Sequence, residues 1–184
     1  MIRPIYLYGA PVLREKALEA DLSKPEEIKA LVQDLKDTLA RADGCGLAAP
    51  QIGVSQRVVI VDGDVVADTY DYLKGFRRTL INPVIVEESK EQTTYSEGCL
   101  SIPGIYCDIT RPKTIKVEYF DEELKPQSEV FDNFAARMIQ HELSHLDGDL
   151  FTDRAAPIRR KMLSSKLQNI VKGKVHPHYN SKLK

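Results

Sequence analysis

Long apolar runs are missing from this sequence of 184 residues. No stretch approaches the roughly 20 apolar residues that a membrane-spanning helix needs, which argues against a membrane protein. Residues 1–14 carry charges and prolines where a secretion signal would be continuously apolar, so we expect a cytoplasmic location. Cysteine is also scarce. Cys45, Cys99 and Cys107 show no disulfide-like spacing, which indicates free thiols or a metal ligand in a reducing compartment.

Acidic residues are absent after Asp153. Residues 154–184 hold nine Lys or Arg, whereas residues 1–153 hold 17 basic and 27 acidic residues. Such an asymmetry can mark a segment that contacts an anionic partner such as ribosomal RNA. A solvated helix face and tail is the favoured interpretation, and we expect no DNA partner.

The composition, with 42% hydrophobic and 29% charged residues, is typical of a globular chain. Its length suits a single domain over residues 1–184, with a basic C-terminal helix and tail over residues 154–184. Apolar periodicity predicts three helices, over residues 25–43, 133–148 and 157–173. Residues 23–26 resemble a capping box with an early proline at the start of the first helix.

Strand-like runs lie between the first two helices. They occupy residues 57–61, 80–86, 92–95, 114–120 and 129–131. These runs predict a mostly antiparallel sheet, with a turn at residues 121–126. Residues 44–51 are rich in small side chains and predict a tight loop or short extended piece, and residues 62–78 are predicted to be a surface loop.

The segment His141-Glu-Leu-Ser-His145 lies on the second predicted helix. Two imidazoles four residues apart project from one helix face and can bind one cation. Glu142, beside the first histidine, can take a proton from metal-bound water and later give it to a leaving amine. The pattern favours a catalytic metal, which needs a third protein ligand.

The residues alone leave the third ligand open. A metzincin-like site would need a histidine where Phe151 stands, and a thermolysin-like site would need an acid later than Asp153. Helix termination and solvation explain the nearby acids better: Asp147, Asp149 and Asp153. A thiolate is a good ligand for zinc or ferrous iron, so the remaining candidates are Cys45, Cys99 and Cys107.

Three segments together resemble the signature segments of the peptide deformylases, in the family's order. They are Gly44-Cys-Gly-Leu-Ala-Ala-Pro-Gln51, Glu97-Gly-Cys-Leu-Ser101 and Gln140-His-Glu-Leu-Ser-His145. The resemblance implies an α+β fold, with mostly antiparallel sheets around a central metal-binding helix and with an N-terminal and a C-terminal helix. It also implies one divalent metal held by Cys99, His141 and His145, with Fe2+ favoured and Zn2+, Ni2+ or Co2+ accepted.

The same resemblance implies a hydrolase that removes the N-formyl group from the N-terminal methionine of nascent chains and of other N-formylmethionyl peptides, releasing formate. Metal-bound water would attack the formyl carbon, and Glu142 would act as general acid and base. Gln51 and the backbone N–H of Leu100 would stabilise the oxyanion. The resemblance assigns substrate binding to Gly44, Cys45, Gly46, Glu97, Gly98, Phe134, Arg137 and Met138.

Two residues depart from the family's pattern. Ser144 stands where the family usually has an acid, so we expect Arg111 to pair with Glu97 or another acid, or to stay in water. Cys45 replaces a larger aliphatic residue.

Three alternatives remain open. They are a zinc peptidase that cleaves internal peptide bonds, a structural metal site completed by Cys45 or His176, and an inactive relative that contacts the ribosome. His176 and His178 are interpreted as solvent-exposed residues of the tail.

Overall fold

The computed structural model describes every residue from Met1 to Lys184. The helices are α1, Pro25–Ala42; α2, Asn133–Leu146; and α3, Pro157–Val171. The strands are β1, Ile5–Tyr6; β2, Gly46–Ala48; β3, Val58–Asp62; β4, Arg77–Glu88; β5, Gln92–Cys99; β6, Ile102–Pro112; β7, Thr114–Phe120; β8, Pro126–Asp132; and β9, Ser181–Lys182. None of the helices combines the length and the apolar composition that a bilayer crossing requires.

Antiparallel pairing dominates the sheets. Five strands form one sheet in the order β2-β3-β4-β7-β8, and all four pairs in it are antiparallel. Strands β5 and β6 form a separate antiparallel hairpin, while β1 and β9 pair in parallel. The predicted α+β class, with mostly antiparallel sheets around a central helix, is confirmed.

Helix α1 begins with a proline in its first turn and carries Glu26 near the positive end of the helix dipole. It ends where Asp43 adopts a left-handed conformation with φ of 56°. The predicted capping box is wrong. The Ser23 hydroxyl donates to Asp21 Oδ1 at 2.7 Å and makes no cap contact, because the local turn offers a nearer acceptor.

Strand β3 is buried on both faces. Val58 and Ile60 pack in the cluster under α1, whereas Val59 and Val61 pack in the cluster under α2. Successive side chains of a strand point to opposite faces, so a strand covered on both sides reads as a continuous apolar run. This part of the sheet therefore lies between α1 and α2.

Helix α2 lies in the centre of the molecule, and every residue in it after Phe134 is buried. Asp132 Oδ1 accepts the Asn133 N–H at 2.8 Å at the start of the helix. Just beyond its end, Gly148 has φ of 77°, and a Cβ there would lie 2.6 Å from the carbonyl oxygen of Arg14. Only glycine fits this position, which accounts for the predicted helix end.

Strand β6 and residues 62–78 differ from the predictions, and the two-residue strands β1 and β9 were not predicted. The strand patterns miss β6, since its glycine and prolines interrupt the apolar alternation and one of its inward-facing residues is Arg111. Residues 62–78 are more than a surface loop. They form two short 3₁₀ turns before β4 begins, and Leu73 is buried in the cluster under α2.

Helix α3 packs on the β5–β6 hairpin through Leu163, Leu167 and Ile170, while Ile158 and Met162 on its other side are exposed. The chain then returns to its own beginning, because β9 pairs with β1. This pairing brings the two chain ends beside the hairpin.

The burial of β4 predicts the cost of truncating its side chains. Leu80 is fully buried, whereas Val84 in the same strand is 57% exposed. We expect Leu80→Ala to lower the free energy of unfolding by about 2–5 kcal/mol, because it leaves a cavity. The matched control, Val84→Ala, should lose at most about 1 kcal/mol. Urea unfolding measures both, and equal losses would contradict the burial of Leu80.

Candidate metal centre

Three potential ligands from two elements meet beside a cleft, which Cys99 and His141 line. Cys99 ends β5, and His141 and His145 lie one turn apart on α2. Their ligand atoms all lie within 4.8 Å of one another, and Cys99 Sγ is 3.4 Å from His145 Nε2. No other His, Cys, Asp or Glu joins this group. The structure therefore brings together the ligand set that the family resemblance implies.

The rival candidates lie outside this group. Burial and the charge of Glu142 raise the pKa of the Cys45 thiol to about 12, so this thiol stays protonated. Cys107 is buried among apolar side chains between the hairpin and α3. His176 lines the cleft but does not approach the three ligands. The fourth ligand that a structural site would need is not provided by any of these residues.

The carboxylate of Glu97 organises the side of the centre that faces the hairpin. Arg111 donates to both of its oxygens, at 2.8 and 3.0 Å, and Arg137 Nη1 donates at 2.6 Å. His141 Nδ1 lies 2.9 Å from Glu97 Oε1, and donation through Nδ1 leaves Nε2 available for a metal. The expected pairing of Arg111 with Glu97 is confirmed, and Ser144 Oγ accepts a further bond from Arg111 at 3.0 Å.

The two histidines have different electrostatic surroundings. Burial opposes the charging of His141, but hydrogen bonds with Cys99 and Glu97 raise its pKa to about 10. Burial lowers the pKa of His145 well below its usual value, and the charges of His141 and Arg111 act in the same direction. His145 is therefore a neutral imidazole, the form that binds metals. Its Nδ1 is buried without a partner.

Glu142 lies beside the three ligands, and its carboxyl group is only partly engaged. Its Oε2 is buried and has no hydrogen-bond partner. Burial raises the pKa of Glu142 to about 7. A Cβ on Gly46 would lie 2.6 Å from Glu142 Oε1, so the glycine lets the carboxylate approach the β2 backbone. A carboxyl group in this setting can exchange a proton with a neighbouring molecule.

Gln51 is held with its amide nitrogen towards the ligands. Its Oε1 accepts the Ala48 N–H at 2.9 Å, and its Nε2 donates to Ser101 Oγ at 3.1 Å. The same nitrogen lies 3.5 Å from Cys99 Sγ. Leu100 follows this cysteine in the turn between β5 and β6 and also lines the cleft. Gln51 and Leu100, the two predicted oxyanion donors, therefore both lie next to Cys99.

The cleft has a volume of about 700 Å³. All the predicted substrate-binding residues line it: Gly44, Cys45, Gly46, Glu97, Gly98, Phe134, Arg137 and Met138. The charged groups of Glu97 and Arg137 are engaged within the protein. Arg137 donates to Glu97 and to the carbonyl oxygens of Ile109 and Thr93. Helix α2 contributes Phe134 and Met138 to the apolar part of the lining.

Sequence reasoning missed two walls of the cleft. One comes from residues 62–78, where Val65 and Val66 line the cleft and the Tyr70 ring stacks on Phe134 with centroids 4.3 Å apart. The other comes from residues 175–179 of the tail, which line the cleft although His178 itself is 65% exposed. Neither segment carries a local motif. The apolar and aromatic residues within residues 62–78 are the one signal that could have indicated that this segment packs against the rest of the protein.

The comparisons with known proteins agree with one another on the family of this chain. A family model described as polypeptide deformylase matches residues 2–161. The chain belongs to this family. A peptide deformylase from Christiangramia forsetii is 41% identical, over 97% of this chain and 94% of that protein. One from Cytophaga hutchinsonii is also 41% identical, over 99% of this chain and 97% of that protein.

Solved deformylase structures share the fold. The crystal structure of a peptide deformylase from Legionella pneumophila has a TM-score of 0.81 and 34% identity, and the match covers 95% of this chain and 98% of that one. A Thermotoga maritima peptide deformylase has a TM-score of 0.76 and 36% identity, covering 85% and 99%. The resemblance inferred from the three motifs is thus confirmed.

In this member of the deformylase family, the Glu97 network predicts a large cost for removing its charge. Glu97→Gln would leave two buried guanidinium groups without their anion, so we expect a loss of about 3–5 kcal/mol in unfolding free energy. The control is Glu91→Gln, because Glu91 is largely exposed and its pair with Lys113 spans 3.4 Å. It should cost at most about 1 kcal/mol. Urea unfolding of the metal-free proteins compares them, and similar costs would contradict the role of Glu97.

Proposed function

We propose that this chain is a metal-dependent hydrolase that removes the formyl group from the N-terminal methionine of newly synthesised proteins and releases formate. Membership of the deformylase family supports this activity. The observation that carries it for this chain is the grouping of Cys99, His141 and His145 beside the unpartnered carboxyl oxygen of Glu142.

The residues present fit one divalent metal. A thiolate and two imidazoles suit zinc or ferrous iron, and three protein ligands leave a coordination position open for chemistry. We propose Fe2+ because of the resemblance to the family, and the same donors accept Zn2+, Ni2+ or Co2+. When bound, the metal supplies Lewis acidity to the reaction. The rest of the chemistry is assigned to the chain's own groups.

Glu142 is proposed to move the proton. Its free Oε2 can accept a proton from the attacking water and deliver it to the amino nitrogen as the C–N bond of the formamide breaks. Gly46 leaves room for the carboxylate against the β2 backbone, which limits the positions that it can adopt. General acid–base catalysis of this kind contributes roughly 10²- to 10⁴-fold to a rate.

Gln51 and Leu100 are proposed to stabilise the negative charge that develops on the formyl oxygen. Because the Ala48 N–H fixes the amide oxygen of Gln51, its Nε2 is the end that faces the ligands. The backbone N–H of Leu100 would be the second donor. Donors held in place before the reaction stabilise a transition state without the cost of reorganisation.

Substrate binding is proposed to use two surfaces. The methionine side chain would enter the apolar part of the cleft, against Phe134, Met138 and Cys45. The peptide backbone would extend along β2, which is an outer strand of the five-stranded sheet and contains Gly46. Glu97 and Arg137 are proposed to contribute to substrate binding as residues that line the cleft, with their charged groups held in their mutual ion pair.

Several broader features belong to the same proposal. Residues 1–184 would act as one catalytic domain, since β9 pairs with β1. All nine basic side chains of residues 154–184 are exposed, which supports contact with a polyanion such as ribosomal RNA. The protein would act on nascent chains in the cytoplasm.

The test is formate release from an N-formylmethionyl tripeptide by protein purified with reductant under nitrogen. We expect activity at about one metal per chain, and Glu142→Gln should keep the metal while losing at least about 10²-fold in turnover. No formate from a fully metallated wild type would refute the proposed activity. Cleavage of unformylated peptides would favour the internal-peptidase alternative.

A second substitution tests the ligand assignment. Cys99→Ser replaces a thiolate with a neutral hydroxyl and should weaken metal binding strongly. Cys107→Ala is the matched control, since it removes a buried thiol that lies among apolar residues. Metal content after dialysis against a weak chelator should fall for the first variant only. Unchanged metal content in Cys99→Ser would exclude Cys99 as a ligand.

A further inference from the structure

The turn that follows Cys99 is held by both ends of the chain. Residues 100–101 connect β5 to β6, and each of their carbonyl oxygens accepts one hydrogen bond from a terminal segment. The backbone N–H of Tyr8 donates to the Ser101 oxygen at 2.8 Å. The Tyr179 hydroxyl donates to the Leu100 oxygen. A turn fixed in this way cannot rotate without losing bonds at two points.

The two terminal segments also hold each other. The Ile5 N–H donates to the Asn180 oxygen and the Leu7 N–H donates to the Lys182 oxygen, both at 2.9 Å. Tyr179 directly precedes this parallel pair and packs against the cluster under α1. Backbone bonds to the residues that follow it therefore determine where its ring and hydroxyl lie.

Leu100 is confined on its side-chain face as well. A Cβ on Gly44 would lie 2.7 Å from Leu100 Cδ1, so the leucine is seated directly against the backbone at Gly44. Leu100 also packs against the same cluster as Tyr179. Its side chain is thus held by Gly44 and its carbonyl group by Tyr179.

We infer that Tyr179 is a positioning residue for deformylation, which holds Leu100 where its backbone N–H serves the developing oxyanion; the inference rests on the proposed function. Tyr179 acts through Leu100 and touches no reacting atom. Stabilisation by an oxyanion donor depends steeply on its placement, so loosening this residue should affect the chemical step more than substrate binding.

The test uses Tyr179→Phe, which removes the hydroxyl and keeps the ring that packs in the cluster. Tyr6→Phe is the matched control, because Tyr6 lies on the paired strand β1 and its hydroxyl makes no hydrogen bond. With metal content equalised, we expect kcat to fall about three- to tenfold in Tyr179→Phe, as loss of one hydrogen bond allows. KM and the thermal midpoint should stay close to those of the wild type and of Tyr6→Phe.

Amide hydrogen exchange of residues 100–102 in the metal-loaded proteins provides a readout that does not depend on activity. We expect several-fold faster exchange in Tyr179→Phe than in Tyr6→Phe. Unchanged exchange would overturn the inference, as would an unchanged kcat per bound metal in an active enzyme. If the wild type released no formate, the proposed function would fall, and with it the catalytic part of the inference, while exchange would still report whether Tyr179 holds the turn.

Discussion

The buried carboxylate of Glu97 joins the hairpin to the central helix. It accepts hydrogen bonds from Arg111 on β6 and Arg137 on α2, and it contacts His141 on the same helix. A sliding movement of α2 along the hairpin would break several of these bonds at once and leave buried charges unpaired, which is costly. Since Cys99 belongs to the hairpin and the two histidines to the helix, the Glu97 network keeps the three ligand atoms together.

Charge balance explains how the site accommodates Ser144. Arg111 and Arg137 bring two buried positive charges, and Glu97 supplies one negative charge between them. Ser144 adds a neutral acceptor for Arg111. Further negative charge is available nearby from Glu142 and from the Cys99 thiolate that a bound metal would favour. The two guanidinium groups therefore remain hydrogen-bonded without an acid at position 144, although Arg137 Nε has no partner.

The parts of the molecule that could be predicted from sequence are those whose signal is local. Helical spacing indicates that His141 and His145 share a face of α2, and strand-like runs indicate β3 and β7. Selection of Cys99 needed the resemblance, because the residues alone left three cysteines open. Strand β6 and the tail could not be predicted, since their partners are distant in the sequence and β6 turns Arg111 inward. The predicted capping box does not form because the Ser23 hydroxyl donates to Asp21 instead.

The cleft combines the candidate metal centre with walls that come from other segments of the chain. The match to the family spans residues 2–161, and it contains all the residues of the candidate metal centre. The wall formed by residues 175–179 lies beyond that match, yet it lines the same cleft and bonds to Leu100. A segment placed there can alter the space around a substrate without altering the ligands, because its own support comes from β1 and not from α2. Variation in the terminal pair would therefore change the shape of the cleft and leave the candidate metal centre unchanged.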